Sequence, residues 1–253
     1  MSAIINSIID AKLKLGALLL DKNKIFISNN YLRELFFEID RCEKREHILN
    51  YYFKALNIFP ENFYKHKEKR ILKKIIIHPG ANIEKKRWGI ENYFKLIKML
   101  NEEYSPQFII TGGKNEINEN KNLTKMLESL SINYTDLTGK VNIKSLVEII
   151  EDSDLLISSD TFIQHLSTLT SIDSITIFLG GAYHYHTFPY QLNRKVIFPD
   201  IDCYPCKYSD LCKNNYKCRD LIKPEDILAL INGDKVKNSL FTRLGDNNLL
   251  ELK

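Results

Sequence analysis

From about residue 70 onward, short runs of β-branched residues take turns with stretches of helical period, and few folds accommodate that order. The apolar run 71–77 is followed by "ENYFKLIKML", then "FIITGG" (108–113), "NLTKMLESL" and a short strand near "YTDL". The helix "IKSLVEIIED" leads to "LLISSD" (155–160), "TFIQHLSTL" to "SITIFLG" (174–180), and "KVIF" (195–198) precedes the helix "KPEDILALI". Strands this apolar are buried on both faces, and helices joining them make right-handed βαβ units. The expected fold class is therefore α/β, a doubly wound parallel sheet over 71–235.

Residues 1–65 do not alternate in this way. They read as mostly helical with one strand, "KIFIS" (24–28), and "YKHKEKRILKK" (64–74) reads as a solvated basic linker. The resulting expectation is a partial domain plus linker over 1–70, the α/β domain over 71–235, and a C-terminal tail over 236–253. The opening "MSAIINSIIDAKLKLGALLL" carries Asp10, Lys12 and Lys14 in its middle, which suits an amphipathic helix packed on protein rather than an export signal.

Composition narrows the function. The 36 basic and 32 acidic residues are interspersed and leave a net charge of +4, without the clustered basic face that nucleic acid selects. No apolar run approaches the roughly 20 residues of a membrane helix. These features suit an ordinary globular protein of the cytoplasm.

In an open parallel sheet, ligands bind beyond the carboxyl ends of the strands. The first strand delivers His78-Pro79-Gly80, then Lys85, Lys86, Arg87 and the only tryptophan, Trp88. The second delivers Thr111-Gly112-Gly113-Lys114-Asn115-Glu116, the strand at 155–160 delivers Asp160-Thr161 with His165 a turn later, and "SITIFLG" delivers Gly180-Gly181 and the loop of His184 and His186. Paired glycines let backbone approach an oxyanion, a lysine adds a mobile charge for a diphosphate, and Glu116 offers a carboxylate for ribose hydroxyls. The inventory suits a phosphorylated nucleotide. Neither a Walker pattern nor a GxGxxG follows the first strand, so ordinary ATPase and dehydrogenase readings fail. Each element also has a purely structural reading: Gly112-Gly113 as a turn, Asp160 as a helix N-cap, His165 as a core histidine, Trp88 as packing, and His184 and His186 as surface.

Four of the five cysteines fall in "DCYPCKYSDLCKNNYKC", a C-x2-C-x5-C-x5-C spacing; Cys42 stands apart. Cys203, Cys206, Cys212 and Cys218 suit a tetrahedral structural metal, zinc by chemistry, against the alternative of a reduced or disulfide-bonded loop.

Taken in order, "HPGANIEKKRWGIENYFKLI", "IITGGKNE", "LTGKVNIKSLVEIIEDSDLLISSDTFIQHLSTL", "ITIFLGG" and "CYPCKYSDLC" resemble the C-terminal half of bacterial heptosyltransferases, glycosyltransferase family 9, over roughly residues 71–232. The resemblance implies a GT-B architecture of two Rossmann-like domains, the C-terminal one binding a nucleotide-sugar donor, typically ADP-heptose. It implies inverting transfer to a lipopolysaccharide core, or to a protein in a smaller autotransporter-modifying branch, at the cytoplasmic face of the inner membrane. No cofactor is required for transfer, while that smaller branch holds iron in a cysteine finger. Carried over by position, Lys86 meets the donor diphosphate, Glu116 the ribose, and Asp160, Thr161 and His165 cradle phosphate and sugar.

Two features depart from the family pattern. Phe162 stands where a small residue usually follows Asp-Thr, and fewer than 75 residues precede the matched region, where a complete N-terminal domain takes about 150. The family's acceptor site and general base lie in that domain, so no catalytic base is assigned. A competing reading is a truncated, catalytically silent nucleotide-sugar-binding or scaffold module. A non-transferase epimerase-like protein fits less well, since it has no use for the cysteine segment or the Lys-x-Trp loop.

Overall fold

The computed structural model of the chain describes residues 17–21, 24–27, 45–56, 71–206, 212, 214–244 and 250–253. Among these, an antiparallel pair, β1 (Ala17–Asp21) and β2 (Lys24–Ile27), precedes helix α1 (Ile48–Leu56). The α/β unit then runs β3 (Lys74–His78), α2 (Ile90–Tyr104), β4 (Gln107–Ile110), α3 (Ile117–Ser129), β5 (Tyr134–Asp136), α4 (Ile143–Glu151), β6 (Leu155–Ser159) and α5 (Phe162–Leu166). It continues through β7 (Asp173–Ile177), the short α6 (His184–Thr187), β8 (Arg194–Ile197) and α7 (Pro224–Asn232), and ends in β9 (Ser239–Leu244) and β10 (Leu250–Leu252).

The described strands β3 to β10 form one sheet in the order β10-β9-β8-β7-β6-β3-β4-β5. The six strands β3 to β8 pair in parallel, and β9 and β10 add antiparallel at the β8 edge. Ile75, Ile77, Phe108 and Ile110 point to one face and pack with Tyr93, Leu96 and Leu100 of α2 and Leu123 and Leu127 of α3. Ile76, Ile109 and Leu156, offset by one residue, pack on the other face with Ile150, Ile163 and Leu166. Alternate residues of each strand thus serve opposite helix layers, as a doubly wound sheet requires.

The order in which strands are added reverses between β3 and β6, which are parallel hydrogen-bonded neighbours: β4 and β5 lie on one side, β7 and β8 on the other. That junction is the topological switch point, where the loops after two adjacent strands diverge and leave a crevice. The amino ends of the two strands are tied as well: the Lys73 and Lys74 amides both donate to Asp154 Oδ2 at 2.9 Å.

Three sequence expectations need correction. Residues 17–21, assigned to an amphipathic helix, are a strand; the part of that helix over 1–16 lies outside the described residues, as do Cys42 and the linker over 64–70. Part of 236–253, read as a tail, forms the sheet strands β9 and β10. His184 and His186, read as surface, are buried. His184 stacks on Phe198 with ring centroids 3.9 Å apart and meets the Tyr204 hydroxyl at 2.8 Å.

Candidate nucleotide-sugar site

Three chain segments converge on the crevice at the carboxyl ends of β3, β4 and β6. After β3 the chain turns through Pro79-Gly80 and forms a 3-10 turn, Glu84–Lys86. Trp88 then plunges into the core, donating its indole N–H to the Ile222 carbonyl at 2.8 Å and packing edge-on to Tyr93. An indole buried with its N–H satisfied anchors the turn from below, which leaves Lys86 free to reach across the crevice.

Lys86 reaches Asp160. Its Nζ lies 2.6 Å from Oδ2 and 3.3 Å from the Asp160 carbonyl. Asp160 is 3% exposed, so the ion pair neutralises a carboxylate that burial alone would strongly disfavour. Two of the three ammonium donors are engaged and one remains for an incoming oxyanion. His165, more exposed, places Nε2 4.0 Å from Asp160 Oδ1. Burial lowers the His165 pKa, opposed by the Asp160 carboxylate and reinforced by Lys86. The N-cap of α5 is Thr161 rather than Asp160, whose side chain is turned toward Lys86. The Thr161 hydroxyl is buried and has no protein partner, which suits a group that meets a ligand.

Glu116 ends a second 3-10 turn, Lys114–Glu116, and is buried. The Gly113 amide donates to its Oε2 at 2.6 Å. Gly80 makes room for it: a Cβ there would lie 1.9 Å from Glu116 Oε1, and one at Gly112 would lie 3.0 Å from Oε2. Gly80 thus leaves room for the carboxylate, while at Gly112 the tightest neighbour is Asn120 Nδ2, 2.7 Å from where a Cβ would lie.

Together these groups line a cavity of about 460 Å³ with His78, Asn82, Thr111, Val141, Asn142, Ile143 and Leu146. All five positions carried over from the family pattern, Lys86, Glu116, Asp160, Thr161 and His165, line this one cavity. Phe162 stands at its rim 59% exposed, so its ring lies largely in solvent. The sequence placed His78 at the ligand-binding edge without giving it a role, and did not assign Asn82 or Asn142 to the site. His78 was signalled by its place at the strand end before Pro-Gly; the two asparagines carried no signal.

The second glycine pair, Gly180-Gly181, is part of the support. Gly181 has φ +86, and a Cβ there would sit 2.7 Å from Lys86 Cε. Its amide donates to the Cys206 carbonyl at 3.2 Å. From the other side Arg219 Nη2 donates to both the carbonyl and Oε1 of Glu84, each at 2.6 Å. The cysteine segment thus braces the turn that presents Lys86.

Cys203, Cys206, Cys212 and Cys218 are free thiols. Burial raises the Cys206 pKa, with Cys203 and Cys212 adding to the rise, and burial raises that of Cys218 to about 11, with the other three adding. Four thiols are the donor set a soft or borderline cation prefers. Among the described residues, however, no three His, Cys, Asp or Glu side chains are drawn into a metal-holding group.

Residues 40–217 match the family described as Glycosyltransferase family 9 (heptosyltransferase). The chain belongs to glycosyltransferase family 9. It is 30% identical over 216 residues to lipooligosaccharide heptosyltransferase 2 of Campylobacter jejuni serotype O:6, a match covering 83% of this chain and 66% of the relative. Among solved structures, the E. coli ADP-heptose LPS heptosyltransferase II superposes with a TM-score of 0.53 at 18% identity, covering 73% of this chain and 50% of that one. The E. coli heptosyltransferase WaaC with ADP gives a TM-score of 0.54 at 14% identity, covering 76% and 58%. At such identities the structural likeness shows the fold. This family 9 chain spans just under two thirds of the Campylobacter relative's length.

Proposed function

We propose that this chain carries the donor-binding half of a heptosyltransferase, which transfers heptose from ADP-heptose to a lipopolysaccharide or lipooligosaccharide core. The observation that carries the reading is the cavity itself. A lysine paired across the switch point with Asp160 and a carboxylate seated beside Gly80, Gly112 and Gly113 both line it. A nucleoside diphosphate asks for the same pair, one cation for the phosphates and one acceptor for the ribose diol. The names of the relatives, an ADP-heptose enzyme and a heptosyltransferase with ADP among them, favour adenosine diphosphate and heptose.

In the proposed reaction an acceptor hydroxyl displaces ADP in line at the anomeric carbon, with inversion. The leaving diphosphate gains negative charge as the glycosidic bond breaks. Lys86 is placed to meet that charge, and in a partly buried site the interaction is much stronger than in water. Helix α5 has only five residues, so its dipole adds little and Lys86 is the principal cation. Asp160 holds Lys86 in place, and Thr161 and His165 face the sugar side. The base that takes the acceptor proton is not assigned among the described residues.

Residues 71–235 act as the donor domain in this reading. It works at the cytoplasmic face of the inner membrane, against a glycolipid acceptor, as the family does. No helix among the described residues is long and apolar enough to cross a membrane. Cys203, Cys206, Cys212 and Cys218 would hold a structural zinc or iron, a role supported by their spacing in the sequence and their donor chemistry rather than by a cluster already drawn together among the described residues. Metal content of the purified chain before and after chelation tests that part.

Calorimetric titration with ADP and ADP-heptose tests the donor site. Micromolar binding that is lost in Lys86→Ala supports it; a well-folded chain that binds neither ligand overturns it.

A further inference from the structure

His78 closes β3 inside the cavity and is 12% exposed at its side chain. Its Nδ1 lies 3.1 Å from the Thr111 hydroxyl and its Nε2 3.8 Å from Glu116 Oε2. Burial lowers the ring's pKa, opposed by Glu116, so the imidazole is neutral and carries one N–H. The two neighbours decide which nitrogen carries it. A carboxylate accepts and cannot donate, so it favours the proton on Nε2; Nδ1 then accepts from the Thr111 hydroxyl, which lies 3.1 Å from it against 3.5 Å from its alternative acceptor, the Ile77 carbonyl. Thr111 is itself fixed by the sheet, its amide bonding the Ile77 carbonyl at 3.0 Å.

The ring therefore aims an N–H at Glu116 but stops short of it. At 3.8 Å the two are too far apart for a direct hydrogen bond. A hydroxyl oxygen placed beside them would satisfy both, donating its proton to the Glu116 carboxylate and accepting from His78 Nε2–H. A single hydroxyl has one proton to give and lone pairs to receive, so one ligand group completes both residues.

We propose that His78 and Glu116 form a two-sided recognition site for one ribose hydroxyl, making His78 a specificity-determining residue that selects ribonucleotides over deoxyribonucleotides. The inference rests on the donor-site reading above and adds to it a residue and a discrimination.

The test is calorimetric affinity for ADP, 2′-deoxy-ADP and 3′-deoxy-ADP, measured on the wild-type chain, His78→Phe and His78→Gln, with melting curves to confirm folding. Wild type is expected to favour ADP over one deoxy analogue by roughly tenfold or more, the scale of one lost hydrogen bond that leaves a buried partner unmet. His78→Phe should cut that preference severalfold, and His78→Gln, which returns an N–H at a similar reach, should restore part of it. An unchanged preference in His78→Phe overturns the inference while leaving the donor site intact. Should His78→Phe not fold, 15N imidazole spectra of the wild type decide: Nε2–H must shift with ADP and not with the discriminated analogue. Wild type that does not bind ADP overturns the donor site and this inference together.

Discussion

Lys86 and Asp160 lie 74 positions apart in the chain and meet at 2.6 Å across the junction of β3 and β6. The pair holds the cation where a diphosphate would be received, and it also makes a buried carboxylate tolerable. Structure and binding are therefore separable at this contact. Lys86→Met should destabilise the protein by about 3 kcal/mol, because Asp160 is left charged and unpaired. Adding Asp160→Asn should recover most of the urea midpoint without recovering ADP affinity. Recovery of both would mean that Lys86 has no part in binding.

Gly80→Ala probes the carboxylate seat. The new methyl would fall 1.9 Å from Glu116 Oε1, so the carboxylate must swing away from its bond to the Gly113 amide. The expected result is a loss of roughly 1–3 kcal/mol in stability, as for other overpacked sites, with ADP binding weakened at least tenfold. Wild-type affinity in Gly80→Ala would show that Glu116 does not hold the ligand in this position.

Arg219→Ala removes the outer brace of the lysine turn. The side chains are partly exposed, 21% for Arg219 and 53% for Glu84, so stability should change by about 1 kcal/mol or less. ADP affinity should fall about three- to tenfold through misplacement of Lys86. In the Lys86→Met background the same change should have no further effect. An additive loss in that cycle would place Arg219 outside the lysine's influence.

Stability should decline in mild acid. Burial depresses the pKa of both His47 and His184 to about 3. Unfolded histidines take up protons from about pH 6.5 downward, and these two cannot do so while folded. The unfolded state then binds more protons, so stability is greatest above about pH 6.5 and falls as pH drops toward 3. At about pH 5 each ring should cost about 2 kcal/mol. Urea midpoints at several pH values check this, and His184→Phe, which keeps the stack on Phe198, should flatten the decline.

The sheet was legible because apolar runs such as Ile75–Ile77 and Leu155–Ile157 are too apolar to lie anywhere but its centre. The crevice followed from the rule that ligands bind beyond the carboxyl ends of parallel strands, and Lys86, Glu116, Asp160, Thr161 and His165, carried over from the family pattern, all line one cavity there. What escaped depended on distant neighbours. His184 and His186 read as surface because Phe198 and Tyr204, which bury His184, come from later in the chain. Strands β9 and β10 were obscured by Arg243 and Glu251, which interrupt the apolar pattern at an edge where one side is solvated. Asp160 had the composition of an N-cap, yet its carboxylate goes to Lys86 and Thr161 takes that position. Local propensity cannot register a partner 74 residues away.

The lysine turn also has a history within a single round of synthesis. Its anchors are the Ile222 carbonyl and Arg219, 134 and 135 residues downstream of Trp88 and Glu84. At about 5–20 residues per second, a ribosome needs on the order of ten seconds to translate that interval. Throughout it β3 has been made, but the turn beside it lacks the acceptor of the indole N–H and the Arg219 brace. The nascent chain therefore acquires its grip on a diphosphate late, when the segment carrying the cysteines arrives, and nucleotide captured at that point would stabilise only chains that have closed this long-range contact.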